Sequence, residues 1–308
     1  MPADRELLEE GIRAERSGLL DRALEAYQAV ARTSEDHDTV ARALTHAADV
    51  HRARSQWDDS LRAARRAQTV AREARLPTRI ADALVAEINV FITQGDYGTA
   101  TMILQRVISS NTDPRIRGIA LQNLGIILAE TGALQEAEGA FNDSLASFRR
   151  AGYLRGEAIA LNNFGELALK HGAPERAEPL LEQAVALGRD IQDLEVTAMA
   201  SLNLASALCR KGELDRAQDL AMAALGYFTG CRNAWREIEC LRLIGDINDK
   251  ADDCRNAARC YDRAVRLATE IGAETEQRVV REKLDAVTRR LDRGQIGEDT
   301  VISEGPRA

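Results

Sequence analysis

LQNLGIILAETGALQEAEGAF, residues 121–141, recurs without gaps as LNNFGELALKHGAPERAEPLL from Leu161 and as SLNLASALCRKGELDRAQDLA from Ser201. Each copy starts 40 residues after the last. A fourth, LRLIGDINDKADDCRNAARCY from Leu241, keeps the frame but places Asp252 where the others carry a turn glycine. Toward the N-terminus the turn signature continues as GDYGTA at Gly95, SQWDDS at Ser55 and GLLDRA at Gly18. Turns are therefore expected at 18, 55, 95, 132, 172, 212 and 252, spaced by 37 or 40 residues. Self-similarity of this period marks a repeat architecture of about seven units.

Within a unit, apolar and small residues recur at helical intervals on both sides of the turn, as in Leu121, Leu124, Gly125 and Leu128, then Leu134, Ala137, Phe141 and Leu145. Each unit thus reads as two amphipathic helices joined by a short turn. The second helix carries a small residue at one place in every unit: Ala23, Ser60, Ala100, Ala137, Ala177, Ala217 and Ala257. Small residues there let helix backbones approach closely. On the first helix, Gly125, Gly165 and Gly245, with Ala205, Gly11 and Ala48 as counterparts, occupy a position where a mid-helix glycine costs about 1 kcal/mol relative to alanine. Its recurrence predicts a partner helix that leaves no room for a Cβ.

These residues carry a resemblance to the tetratricopeptide repeat. The 40-residue spacing resembles the longer-helix arrays of kinesin light chains, the LGN family and bacterial peptide-sensing regulators. The resemblance implies an all-α, right-handed superhelical solenoid of about seven hairpins over residues 1–273. Residues 274–292 are expected as a capping helix, with Val280, Leu284, Val287 and Leu291 on its buried face. Residues 293–308 lack periodicity and are expected as a mobile tail.

The whole-chain composition agrees with this class. Of 308 residues, 45% are hydrophobic and 29% charged, with 4% aromatic and only 6 prolines, which favours helices over sheets. No apolar run reaches membrane-span length, and the N-terminal MPADRELLEE has no basic-then-apolar signal pattern, so a cytoplasmic protein without a membrane partner is expected. A net charge of -8 disfavours direct nucleic-acid binding. Arg62, Arg65, Arg66, Arg72, Arg75 and Arg79 form a local basic region, read here as a solvated, salt-bridged face. The five cysteines contain no C-x-x-C pair and are expected as reduced packing residues.

No phosphate loop, dinucleotide fingerprint or H-E-x-x-H motif is present, and the four histidines share no metal spacing with the cysteines. No catalytic residue, metal or cofactor is expected. In the family that the repeats resemble, first helices line the recognition face. Asn123, Asn163 and Asn203 stand there in register, nine residues before each turn glycine. A carboxamide offers donors and an acceptor, so such a ladder can pair with the backbone of an extended peptide; the competing reading is that the amides bridge neighbouring helices. The surrounding candidates are Gln122, Asn162 and Arg242, then Ile126, Glu166, Ser206 and Asp246, with Lys170, Arg210 and Lys250 near the helix ends. The expected function is a non-enzymatic adaptor or sensor that binds a protein or peptide. The alternative is a regulatory subunit of a transcription or signalling system acting through a separate effector. Self-association through apolar ends is left open.

Overall fold

The computed structural model describes residues 2–16, 19–110 and 113–302. Among them are fifteen α-helices and no strand. Two compact units divide the chain at Gly156 and Glu157, inside the ninth helix. The first unit holds four hairpins: α1 (Pro2–Arg16) with α2 (Leu20–Thr33), α3 (His37–Ala53) with α4 (Trp57–Glu73), α5 (Pro77–Thr93) with α6 (Tyr97–Ser109), and α7 (Pro114–Glu130) with α8 (Leu134–Ala151). The second runs from Glu157 of α9 (Leu154–Lys170) through α10 (Pro174–Asp190), α11 (Leu194–Lys211), α12 (Leu214–Gly230), α13 (Ala234–Lys250) and α14 (Cys254–Glu270) to α15 (Glu274–Ile302).

Six of the seven expected turns carry a left-handed residue at the predicted position: Ser55, Gly95, Gly132, Gly172, Gly212 and Asp252. The seventh, at Gly18, lies outside the described residues. At each of these six turns the helix ends in a Schellman arrangement, with an N–H bonding five residues back, as in Ala133 to Leu128 at 2.8 Å and Glu213 to Leu208 at 2.9 Å. A second set of left-handed turns, at Arg75, Gly152, Gln192, Arg232 and Gly272, joins successive hairpins by the same geometry. Three of these five are long polar residues, which is why the sequence pattern shows only the glycine-marked set.

The two spacings of 37 have one structural cause. In the first and third hairpins the second helix is shorter, 14 residues in α2 and 13 in α6 against 17 in α10, α12 and α14. There the helix ends in an extended residue, Ser34 or Ser110, instead of a left-handed turn. The next helix is then started by an aspartate N-cap: Asp36 accepts from the Asp38 N–H and Asp113 from the Arg115 N–H.

Within a hairpin the core is set by one pair of residues sixteen apart, one on each helix. Gly11 meets Tyr27, Gly125 meets Phe141, Gly165 meets Leu181 and Gly245 meets Tyr261; a Cβ built on these glycines would lie 2.6, 3.0, 2.5 and 2.4 Å from the partner side chain. Where the first residue is alanine, at Ala48 and Ala205, the second is also alanine, Ala64 and Ala221, and all four are fully buried. The third hairpin departs, with Ile88 and Leu104 both large and both fully buried. Burying a large side chain of this kind contributes about 1.5–3 kcal/mol.

The capping face predicted for α15 is buried at Val280 and Val287, with Leu284 and Leu291 partly so. The helix continues to Ile302, ten residues past the expected boundary at 292, and residues 303–308 of the expected tail lie outside the described residues.

Two predictions follow from the packing and the turns. Gly245→Ala should lower the urea midpoint, by about 1–3 kcal/mol of stability, because Tyr261 is 1% exposed and has no space to retreat. In a Tyr261→Ala background, which recreates the Ala205–Ala221 pair, the same change should be neutral or stabilising; equal effects in both backgrounds would refute the pairing. Arg232→Gly should raise the midpoint by about 1 kcal/mol, since Arg232 holds φ 54° at an exposed helix end where only glycine is unstrained.

Candidate functional site

Six hydrogen bonds between neighbouring first helices share one register. In the first unit Arg79 donates to Asp38 at 2.7 Å and Arg52 to Thr93 at 3.5 Å. In the second, Asn203 donates to Asn162 at 3.0 Å, Arg210 to the Leu169 carbonyl, Lys250 to the Cys209 carbonyl at 2.8 Å, and Arg290 to Asp249. Every one of these contacts spans 41 residues, one more than the repeat. The extra residue has a geometric origin: one step along a helix turns a side chain by about 100°, so adjacent positions face opposite neighbours.

That register decides what becomes of the asparagines. Asn162, 3% exposed, accepts from Asn203 and lies 3.4 Å from the Asn163 side-chain oxygen, so the three amides form one chain between α9 and α11. The link joins residues one step out of alignment, not the aligned pair Asn163 and Asn203. Asn123, in the first unit, turns its amide onto its own helix and donates to the Ile119 carbonyl at 2.9 Å. Beside it the Gln122 Oε1 is buried without a partner.

In the second unit, α9, α11, α13 and α15 enclose an open cavity of about 520 Å³. Of the predicted residues it gathers Glu166, Lys170, Asn203, Ser206, Arg210, Arg242, Asp246 and Lys250. Gln122 and Asn123 belong to the other unit, and Asn162 and Asn163 do not line the cavity, Asn162 supporting it through Asn203. The structure adds Arg236, Glu239, Asp249 and Lys283. Lys283 escaped the sequence reading because its helix carries the signature of a cap, and that signature describes only the apolar face.

Most charges around this cavity are engaged. Lys170 pairs with Glu166 at 3.4 Å and Arg236 with Glu239 at 2.7 Å. Asp246 accepts both from Lys283 Nζ at 2.8 Å and from the Tyr261 hydroxyl at 2.7 Å. Burial and the Asp246 carboxylate push the Tyr261 phenol well above its ordinary pKa, so it stays a donor. Arg210 and Lys250 bind helix-end carbonyls, where cations complement the helix dipole. Burial pushes the Cys209 thiol up, and the Cys240 thiol, behind the lining, up to about 12. Neither is held as a thiolate. Among the described residues no group of three His, Cys, Asp or Glu side chains is placed to hold a metal.

Three of the six arginines in the basic region of the first unit are paired with carboxylates. Arg62 pairs with Asp59, Arg79 with Asp38 and Asp82, and Arg65 with Glu87 at 2.8 Å. Glu87, buried at 7% exposure, also accepts from Gln68, which in turn accepts from Arg72. A buried acid with three supporting residues is invisible to a charge count along the chain.

Sequence profiles of the tetratricopeptide repeat match residues 116–190 and 162–228. These hairpins are tetratricopeptide repeats. Solved structures share the repeat fold. BtubC (BKLC) from P. vanneervenii is 19% identical, with a TM-score of 0.56 over 70% of this chain and 92% of that one. The apo form of RapI is 14% identical, with a TM-score of 0.56 over 88% and 99%. The STAND protein PH0952 from Pyrococcus horikoshii, which has a tetratricopeptide repeat sensor, is 14% identical, with a TM-score of 0.57 over 89% of this chain and 44% of that one. At these identities the likeness is one of fold. No curated protein matches the sequence. Repeats of this kind form protein-interaction scaffolds, and no helix among the described residues is long and apolar enough to cross a membrane.

The amide chain generates a prediction. Asn162→Ala should cost about 1 kcal/mol in urea unfolding, because it removes a buried residue that holds Asn203. Asn123→Ala should be neutral or slightly stabilising, because its amide bonds only to its own helix and alanine is the better helix former. Equal losses at both sites would contradict the assignment.

Proposed function

We propose that this chain is a non-enzymatic adaptor or sensor, and that the first-helix face of its second unit binds an extended segment of a partner protein. The observation that carries this reading is the 520 Å³ cavity lined by four successive first helices. Its walls mix polar side chains with Leu202 and Leu243, the composition of a surface that recognises a polypeptide, and its lining thiol, Cys209, is not held as a nucleophile. Neighbouring first helices stand about 8–10 Å apart and an extended chain advances about 3.3 Å per residue, so each helix meets every third ligand residue. Asn203 supports this role even though its amide nitrogen is engaged, because its Oδ1 remains an acceptor beside Ser206. A sensor role also suits the fold shared with the repeat sensor of the archaeal STAND protein.

Panning a random dodecapeptide library on the intact chain tests the reading. Selected peptides should bind with micromolar Kd, and Ser206→Tyr, which fills the cavity from α11, should weaken them about tenfold or more with an unchanged urea midpoint. Failure to select any binder, or binding untouched by Ser206→Tyr, would remove the groove from this role.

A further inference from the structure

Resting on that reading, we infer that the ligand is acidic, and that Arg242 receives the side-chain carboxylate of an Asp or Glu within the bound segment. The cavity is lined by six cationic side chains against four carboxylates, in a chain whose net charge is -8. Among the described residues, Arg242 is the one lining cation for which no hydrogen bond or ion pair is found. On its own helix the two carboxylates within reach are taken: Glu239, three residues before it, by Arg236, and Asp246, four residues after it, by Lys283 and the Tyr261 hydroxyl. The Arg242 Nε lies out of contact with solvent and has no acceptor. A guanidinium left without acceptors is costly, and because Arg242 lines the cavity, its terminal N–H groups are the ones an entering acceptor meets.

The chemistry of the missing acceptor follows from the donor. A guanidinium offers its two terminal N–H groups side by side, a fork that matches the two oxygens of a carboxylate. The 41-residue register sets Arg242 opposite Lys283 of α15, and Lys283 is held by Asp246, so Arg242 carries the uncompensated charge at the α13–α15 end of the cavity. Both Ser206 on the α11 side and Lys283 beyond α13 line the same space. A bound segment therefore passes Arg242 in both directions, which selects an internal acidic side chain over a chain terminus. The aligned residues Gln122, Asn162 and Leu202 carry no charge, so this single anchor also fixes the ligand's register along the repeats.

The test is dodecapeptide panning on the intact wild type, Arg242→Gln and Arg242→Glu, followed by anisotropy with synthetic N-acetylated, C-amidated copies of the selected peptides. Wild type should enrich Asp or Glu at one position, Arg242→Gln should lose that enrichment, and Arg242→Glu should enrich Lys or Arg there. Replacing the selected acid by its amide should weaken binding to wild type about tenfold and leave binding to Arg242→Gln unchanged. Arg242→Lys, which keeps the charge without the fork, should recover only part of the loss. Circular dichroism of the variants and the urea midpoint of Arg242→Gln should match wild type, because no hydrogen bond or ion pair of Arg242 is found among the described residues. Binders with the same sequence preference on wild type and Arg242→Gln would overturn the anchor while leaving the groove in place. Binding only by uncapped peptides would assign the carboxylate to a C-terminus and overturn the internal-acid assignment. No binder on any form would sink both readings.

Discussion

The close approach of two helices within each hairpin is the constraint on which the rest of the molecule depends. It is written as a pair of positions sixteen residues apart whose combined volume varies by rule: glycine against tyrosine, phenylalanine or leucine, or alanine against alanine. Interiors at crystal-like density do not absorb an extra methyl group without displacement, so the pair sets interhelical distance more sharply than hydrophobicity alone. The Ile88–Leu104 pair breaks the rule with two large side chains. It sits in the hairpin that also has the shortest second helix among those described.

Hairpin geometry then fixes how first helices meet. A contact offset of 41 instead of 40 means that consecutive residues on one helix serve different neighbours, one looking back along the stack and one looking forward. Arg210 and Lys250 use the backward-looking position to satisfy carbonyls at the end of the preceding helix. They hold the stack together, and their charge is thereby engaged by backbone carbonyls. The same rule accounts for the amide chain, in which Asn162 looks forward to Asn203.

The architecture was legible in the sequence because its two strongest signals are backbone requirements. Left-handed turns favour glycine, and close helix approach demands a small residue; both survive in the residue letters. The turns between hairpins were not legible, since Arg75, Gln192 and Arg232 adopt left-handed φ without the residue that advertises it. The site was legible to the level of helix face only. Glu166, Lys170, Asn203, Ser206, Arg210 and Arg242 do converge, but alignment by repeat treats equivalent positions as neighbours, and the one-residue stagger shifts every partner. Division of the chain within α9, the burial of Glu87 and the arrival of Lys283 from the cap depend on tertiary placement that no local pattern encodes.

Recognition in a repeat protein faces a problem of registry, because a stack of similar helices presents similar contacts at every step and an extended ligand can slide along it. Hydrogen-bonding amides in each repeat would leave that degeneracy intact. The second unit breaks it in two ways: Asn203 spends donor capacity on Asn162, and, among the described residues lining the cavity, a cation without a partner stands only at Arg242 on α13. A contact that occurs once along the array discriminates between ligand registers by its full energy, whereas contacts repeated at every rung discriminate by almost none. The unequal distribution of free charge across otherwise equivalent helices is therefore the feature that can convert a generic repeat surface into a specific one.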